Sequence, residues 1–175
     1  MSDDRTTAYA EALFAVARAE GPLAEVEDEL FRFARLLETN DDLRTTLTDA
    51  GLPVSRRQQI VEDLLGGKAT PVTTSLVSLV VGTGRARDLP EIVDQLVSMS
   101  AQEANKEVAE VRSAIALTDD QKTRLAEALG KATGKQVEVK VIIDPSLKGG
   151  LVAQVGDTVI DGSIRRRLDQ LRNAL

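Results

Sequence analysis

The chain has 175 residues, 42% of them apolar, which is enough to bury a core in one medium domain or two small ones without disulfides or metals. It contains no cysteine and no histidine, and this excludes thiolate nucleophiles, Cys/His zinc sites, histidine triads and imidazole bases. A net charge of −6 and an aromatic content of 2% disfavour gripping phosphate backbones or stacking bases, so the expected partners are proteins and not nucleic acid.

The opening "MSDDRTTAYAEALF" carries two early acids and no long apolar run, unlike a secretory signal. The longest strongly apolar stretch, Leu76 to Val81, is far shorter than the roughly 20 residues of a membrane span. No direct membrane insertion and a cytoplasmic address are expected. Up to about residue 105 the apolar residues recur at helical spacing. A first helix, about Thr6 to Glu20, is stopped by Gly21-Pro22. In the second, Leu23, Val26, Leu30, Phe33 and Leu37 step by three and four, drawing a core stripe while Glu25, Asp28 and Arg32 point away. A short third helix follows Asn40, with Leu43 and Leu47 on one face, and ends near Gly51-Leu52-Pro53.

Ser55 with Gln58 three residues on reads as a capping box opening a fourth helix, whose apolar face is Ile60, Val61, Leu64 and Leu65 and whose end is Gly66-Gly67. Thr70 as N-cap and Pro71 at the first helical position open a fifth, ending near Gly82 or Gly84. The sixth starts around Asp88, carries Leu89, Ile92, Val93 and Leu96 inward, and turns polar at Gln102-Glu103-Ala104-Asn105, the expected domain boundary.

Beyond that point the period changes. Val111, Ser113, Ile115 and Leu117 alternate with Glu110, Arg112 and Ala114 as a half-covered strand. Thr118 and Gln121 form a second capping box, for a helix through Leu125 and Leu129 that stops near Gly134. Val137, Val139, Val141 and Ile143 alternate with Glu138 and Lys140 in a second strand that Pro145 ends. "LVAQV" and "TVID", separated by Gly156-Asp157, read as a hairpin with a type II′ turn. Gly149-Gly150 permits a close approach or a bulge, and Asp161 or Ser163 caps a closing helix over 164–174.

Other chemistries fit this last region poorly. Neither GxGxxG nor GxxxxGK[ST] occurs, and Gly66-Gly67-Lys68-Ala69 lacks the hydroxyl and the leading glycine of a phosphate loop. Asp157 and Asp161 lack the spacing of a calcium loop. Arg165, Arg166 and Arg167 suit a solvated face better than an acidic partner. An acid–base enzyme would have to draw on Asp144, Asp157 and Asp161, all of which fit turn, strand-end or cap roles. No catalytic residue, metal or cofactor is expected.

Taken together, "VKVIIDPSLKGGLVAQVGDTVIDGSIRRRLDQL" resembles the C-terminal signature of the delta subunit family of the rotary ATP synthase, whose mitochondrial members are called the oligomycin-sensitivity-conferring protein. The matching positions are Val141, Ile143, Asp144, Gly149, Gly150, Val152, Val155, Gly156, Asp157, Asp161 and Ser163. "AYAEALFAVA" is similar to the family's opening helix, and "GTGRARDLPEIVDQL" to its junction of fifth and sixth helices, so the likeness runs from Thr6 to Leu175. An aromatic residue common in the second helix of some relatives has no counterpart other than Phe31 and Phe33.

The resemblance implies a mainly α fold with a smaller α/β part: a six-helix bundle over 1–105 that binds the catalytic head, then a strand/helix domain over 106–175 that binds the peripheral stalk. It further implies a non-catalytic stator subunit of the proton-translocating ATP synthase, peripheral on the cytoplasmic face of the membrane. Its partners would be the alpha subunits of the head and a b-type stalk subunit. The alternative is a soluble two-domain adaptor for some other amphipathic helix. Ala8, Ala12 and Ala15 form a row of small residues beside Tyr9, and the family places a helix-binding groove between the first and fifth helices. Tyr9, Ala12, Val77 and Val81 are the expected contacts there, with Gly150, Val152 and Asp161 as C-terminal framework.

Overall fold

A computed structural model describes the backbone of residues 2–162 and the side chains of residues 4–162. Ser163, the expected helix over 164–174 and Arg165, Arg166 and Arg167 lie outside the described residues. The chain divides into two compact units, Met1–Ser100 and Ala101–Leu175. The described residues are mainly helical, with one small mixed sheet.

The first unit is built from α1 (Ser2–Glu20), α2 (Leu23–Thr39), α3 (Asp41–Thr48), α4 (Val54–Leu65), α5 (Pro71–Gly82), a 3-10 turn (Ala86–Asp88) and α6 (Leu89–Glu103). α1 starts four residues before the expected Thr6. The apolar stripes do what their period dictates: Val26, Leu30, Phe33 and Leu37 of α2, and Leu89, Ile92, Val93 and Leu96 of α6, are fully or nearly fully buried. Arg35 ties these two helices together. Its guanidinium donates to Asp94 at 2.6 Å and lies 4.6 Å from the centre of the Phe31 ring.

The fourth helix differs from expectation at its start. Pro53, in extended backbone, is the N-cap, and no side chain caps the helix. Proline fixes φ where the helix must begin, so the first turn forms two residues earlier and Ser55 falls inside it. The freed Gln58 amide instead donates to the Ser78 carbonyl of α5 at 3.2 Å. Leu64, expected inward, is partly exposed.

α5 begins as its sequence dictates, with Pro71 at the first helical position and the Thr70 hydroxyl accepting from the Thr73 N–H at 3.2 Å. A second cap comes from far away in the chain. Glu29, buried in α2, accepts from the Thr70 N–H at 2.9 Å, the Thr70 hydroxyl at 2.9 Å and the Thr73 hydroxyl at 2.5 Å. A carboxylate at a helix N-terminus satisfies orphan donors and meets the positive end of the helix dipole.

The second unit contains β1 (Glu107–Ser113), α7 (Asp119–Thr133), β2 (Val137–Ile143), β3 (Leu151–Val155) and β4 (Thr158–Asp161) in the sheet order β2-β1-β3-β4. β1 and β2 are parallel, which a crossover helix makes possible, and β3 and β4 add antiparallel. The Thr118–Gln121 capping box is formed in both directions, and Gly134, at φ 73°, ends α7. Ala109, Val111, Val137, Ala153 and Val155 make the covered face of the sheet, with Leu125 and Leu129 of α7 packed against it.

Two strand expectations need correction. β1 stops at Ser113, so Ile115 lies past the strand and is 69% exposed. Lys140, expected to point to solvent, is only 2% exposed, its ammonium 2.9 Å from the Glu138 carboxylate. A lysine survives burial when a carboxylate two residues along the same strand face supplies the counter-charge.

Glu29→Ala leaves the Thr70 N–H and two threonine hydroxyls without their acceptor, and is expected to cost about 2–4 kcal/mol. Thr118→Ala, which removes one exposed cap, should cost only about 1 kcal/mol. Urea denaturation of both variants measures the difference.

Candidate functional site

A helix turns about 100° per residue, so burial along α1 separates its faces. Ala10, Leu13 and Ala17 are buried, and on the opposite side Ala8, Ala12, Ala15 and Ala19 are all exposed. Tyr9 and Val16 lie seven residues apart on one flank. The Tyr9 ring, half-buried, carries the Arg85 guanidinium 4.9 Å from its centre, and Arg85 also pairs with Asp88 at 2.8 Å. At the other end of the helix, a Cβ added to Gly21 would stand 3.4 Å from Cγ2 of Val72. The end of α1 therefore meets the start of α5, and the start of α1 meets the residues just past the end of α5. The two helices run antiparallel, side by side.

Along α5 the apolar surface wraps around more than a stripe, and Leu76, Val77, Val80 and Val81 are buried. Leu79, two residues and about 200° on from Val77, is 51% exposed. Leu79 and Val72 share a side seven residues apart, and Val72 is the residue that touches the end of α1. Tyr9, Ala12 and Val16 on one helix and Val72 and Leu79 on the other thus edge a shallow apolar channel. No charged residue occurs in α5.

Of the four expected contact residues, Tyr9 is half-buried and Ala12 exposed, while the other two are buried. Val77 and Val81 are 0% exposed, because that side of α5 is consumed by the unit's own packing. Leu79, Val16 and Arg85 also border this face. The signal for Leu79 was the phase of its helix: an apolar residue two positions from a buried one must lie on the opposite side.

In the second unit Gly150, at φ 72°, and Gly149, at φ 122°, occupy left-handed backbone before β3, which explains both glycines by conformation. Val152 and Asp161 face each other across β3 and β4. Gly156, at φ 55°, followed by Asp157 without a positive φ, has the signature of a type II′ turn.

The three aspartates that an acid–base reading requires do not converge. Asp157 and Asp161 stand at opposite ends of β4, about 13 Å apart at the rise of a strand. Asp144 closes a turn after β2, accepting from the Ser146 N–H at 2.9 Å and the Ser146 hydroxyl at 2.5 Å. These bonds hold its carboxyl below the usual carboxylate range, and a base so weakened is poorly suited to taking a proton at neutral pH. Among the described residues no group of three or more acids is placed to hold a metal ion.

Residues 6–175 match the family model described as ATP synthase delta (OSCP) subunit. The chain is 46% identical over 165 residues to a Nocardia farcinica protein named ATP synthase subunit delta, covering 94% of this chain and 61% of that protein. A Streptomyces avermitilis protein of the same name is 42% identical, with 91% of this chain and 58% of that one covered. The chain therefore spans about three-fifths of the length of these relatives. A Desulforudis audaxviator protein, also named ATP synthase subunit delta, is 36% identical and covers 95% of this chain and 92% of its own. A chain in the cryo-EM structure of the Toxoplasma gondii mitochondrial ATP synthase hexamer superposes with a TM-score of 0.57 at 22% identity, over 97% of this chain and 96% of that one, and so shares its fold.

Leu79→Asp is expected to change stability by no more than about 0.5 kcal/mol, and Val77→Asp, which buries a carboxylate without a partner, to cost more than about 3 kcal/mol. Thermal denaturation of each separates surface from core. For Asp144 the folded pKa lies below the unfolded one, so its contribution is present above about pH 4 and is lost as pH falls through the folded value. The gap in urea midpoint between wild type and Asp144→Asn should accordingly narrow between pH 7 and pH 2.5.

Proposed function

Because the chain belongs to the ATP synthase delta (OSCP) subunit family, we propose that it is a non-catalytic stator subunit of the proton-translocating ATP synthase, coupling rotation to ATP synthesis by holding the catalytic head to the peripheral stalk. Residues 1–105, a six-helix bundle in this reading, bind the head, and residues 106–175 bind a b-type stalk subunit. The ligand of the first unit is the N-terminal amphipathic helix of an alpha subunit, laid in the channel between α1 and α5. The protein works on the cytoplasmic face of the membrane as a peripheral component. No helix of the described residues is long and apolar enough to cross a membrane.

The observation that carries this reading is the apolar face that α1 and α5 leave open. The exposed alanine row lets a helix backbone approach closely, and Leu79 and Val16 offer side chains that a partner would take out of water. Completing the burial of a half-exposed leucine contributes on the order of 1 kcal/mol, so several such contacts are required for useful affinity. A stator transmits torque and drives no bond chemistry, which accords with a chain that has neither histidine nor cysteine.

Titration of the full chain with a peptide comprising the alpha subunit's N-terminal segment, followed by calorimetry, tests the assignment. Wild type should bind, and Leu79→Asp, still folded, should bind at least about tenfold more weakly because a charge is desolvated under the partner. Equal binding by Leu79→Asp would move the contact away from this face.

A further inference from the structure

One end of the α1/α5 channel carries a concentration of positive charge. Arg5 stands one helical turn before Tyr9 on the same flank of α1 and is exposed. Arg85 lies over the Tyr9 ring, and Arg87 is exposed two residues further on. Of three acids close in sequence among the described residues, one is paired and two point elsewhere. Asp88 is bonded to Arg85 at 2.8 Å, while Asp4 and Glu11 fall about 140–160° around α1 from Tyr9. Arg5 and Arg85 flank Tyr9 here, with Arg87 close by in sequence, so the described residues beside Tyr9 favour positive charge in a chain whose net charge is −6. The channel floor cannot offset this, since α5 has no charged residue.

Resting on the reading that a partner helix lies in the channel, we propose that Arg5, Arg85 and Arg87 form a polarity clamp, and that the partner helix is one whose acidic end lies beside Tyr9. The apolar channel alone accepts an amphipathic helix in either direction, since small and aliphatic contacts have no sign. The charged end removes this degeneracy: the correct direction sets carboxylates against the arginines, and the reverse direction leaves an acidic segment over uncharged surface or brings like charges together. Charge arranged in this way selects orientation and speeds association more than it adds affinity. Arg85 is held for the task. Stacking on Tyr9 and bonding to Asp88 fix its side chain, so little rotamer freedom is left for a partner to remove, whereas Arg5 and Arg87 are the outer contacts.

Calorimetry with the same alpha-subunit peptide, and with that peptide after every acidic side chain is replaced by its amide, decides the question at about 50 mM and 500 mM salt. The Arg5→Glu/Arg87→Glu variant alters only exposed side chains. It should bind the native peptide about tenfold more weakly than wild type at low salt, and within about twofold at high salt. With the amide peptide, wild type and variant should bind alike. If both bind the native peptide equally at low salt, the clamp is wrong while the channel stands. If wild type binds neither peptide at either salt, the channel reading falls and takes the clamp with it.

Discussion

The placement of α5 depends on one carboxylate. This helix is apolar over most of its circumference, so hydrophobic packing alone would let it rotate or slide among nearly equivalent arrangements. Glu29, reaching from α2 to the first turn, accepts three directional hydrogen bonds and admits one rotation and one height. The phase of the helix then follows: Val77 and Val81 face the interior, and Leu79 faces outward. Both the exposed channel beside α1 and the position of Arg85, three residues past the helix, derive from that anchoring.

Local chemistry was legible in the sequence because each signal spans only a few residues. Thr70-Pro71 opens α5, Thr118 and Gln121 cap α7, and Gly156 turns the hairpin as read. The Ser55–Gln58 pair carried the same signature and does not cap, because Pro53 had already fixed the backbone at the helix start. Glu29 was invisible by the same logic. Its partners are 41 and 44 residues away, and its polar side chain sits within an otherwise ordinary amphipathic pattern. The site was half legible. The alanine row and Tyr9 could be found by periodicity, but choosing among the six valines and leucines of α5 required the helix phase that Glu29 sets.

The C-terminal signature shows how a motif can invite chemistry that its backbone rules out. Glycines that resemble a phosphate loop take left-handed dihedrals at turns, and aspartates that resemble ligands end strands or fill a turn. The described signature positions, from Val141 to Asp161, lie in or between strands of the four-stranded sheet.

Lys140 has a further consequence for how the protein behaves among its own copies. β2 borders the sheet among the described strands, and the outward-facing backbone groups of such an edge are a template for pairing with another chain. A buried ammonium beside the Glu138 carboxylate at the middle of that strand is the kind of charged feature that discourages such pairing.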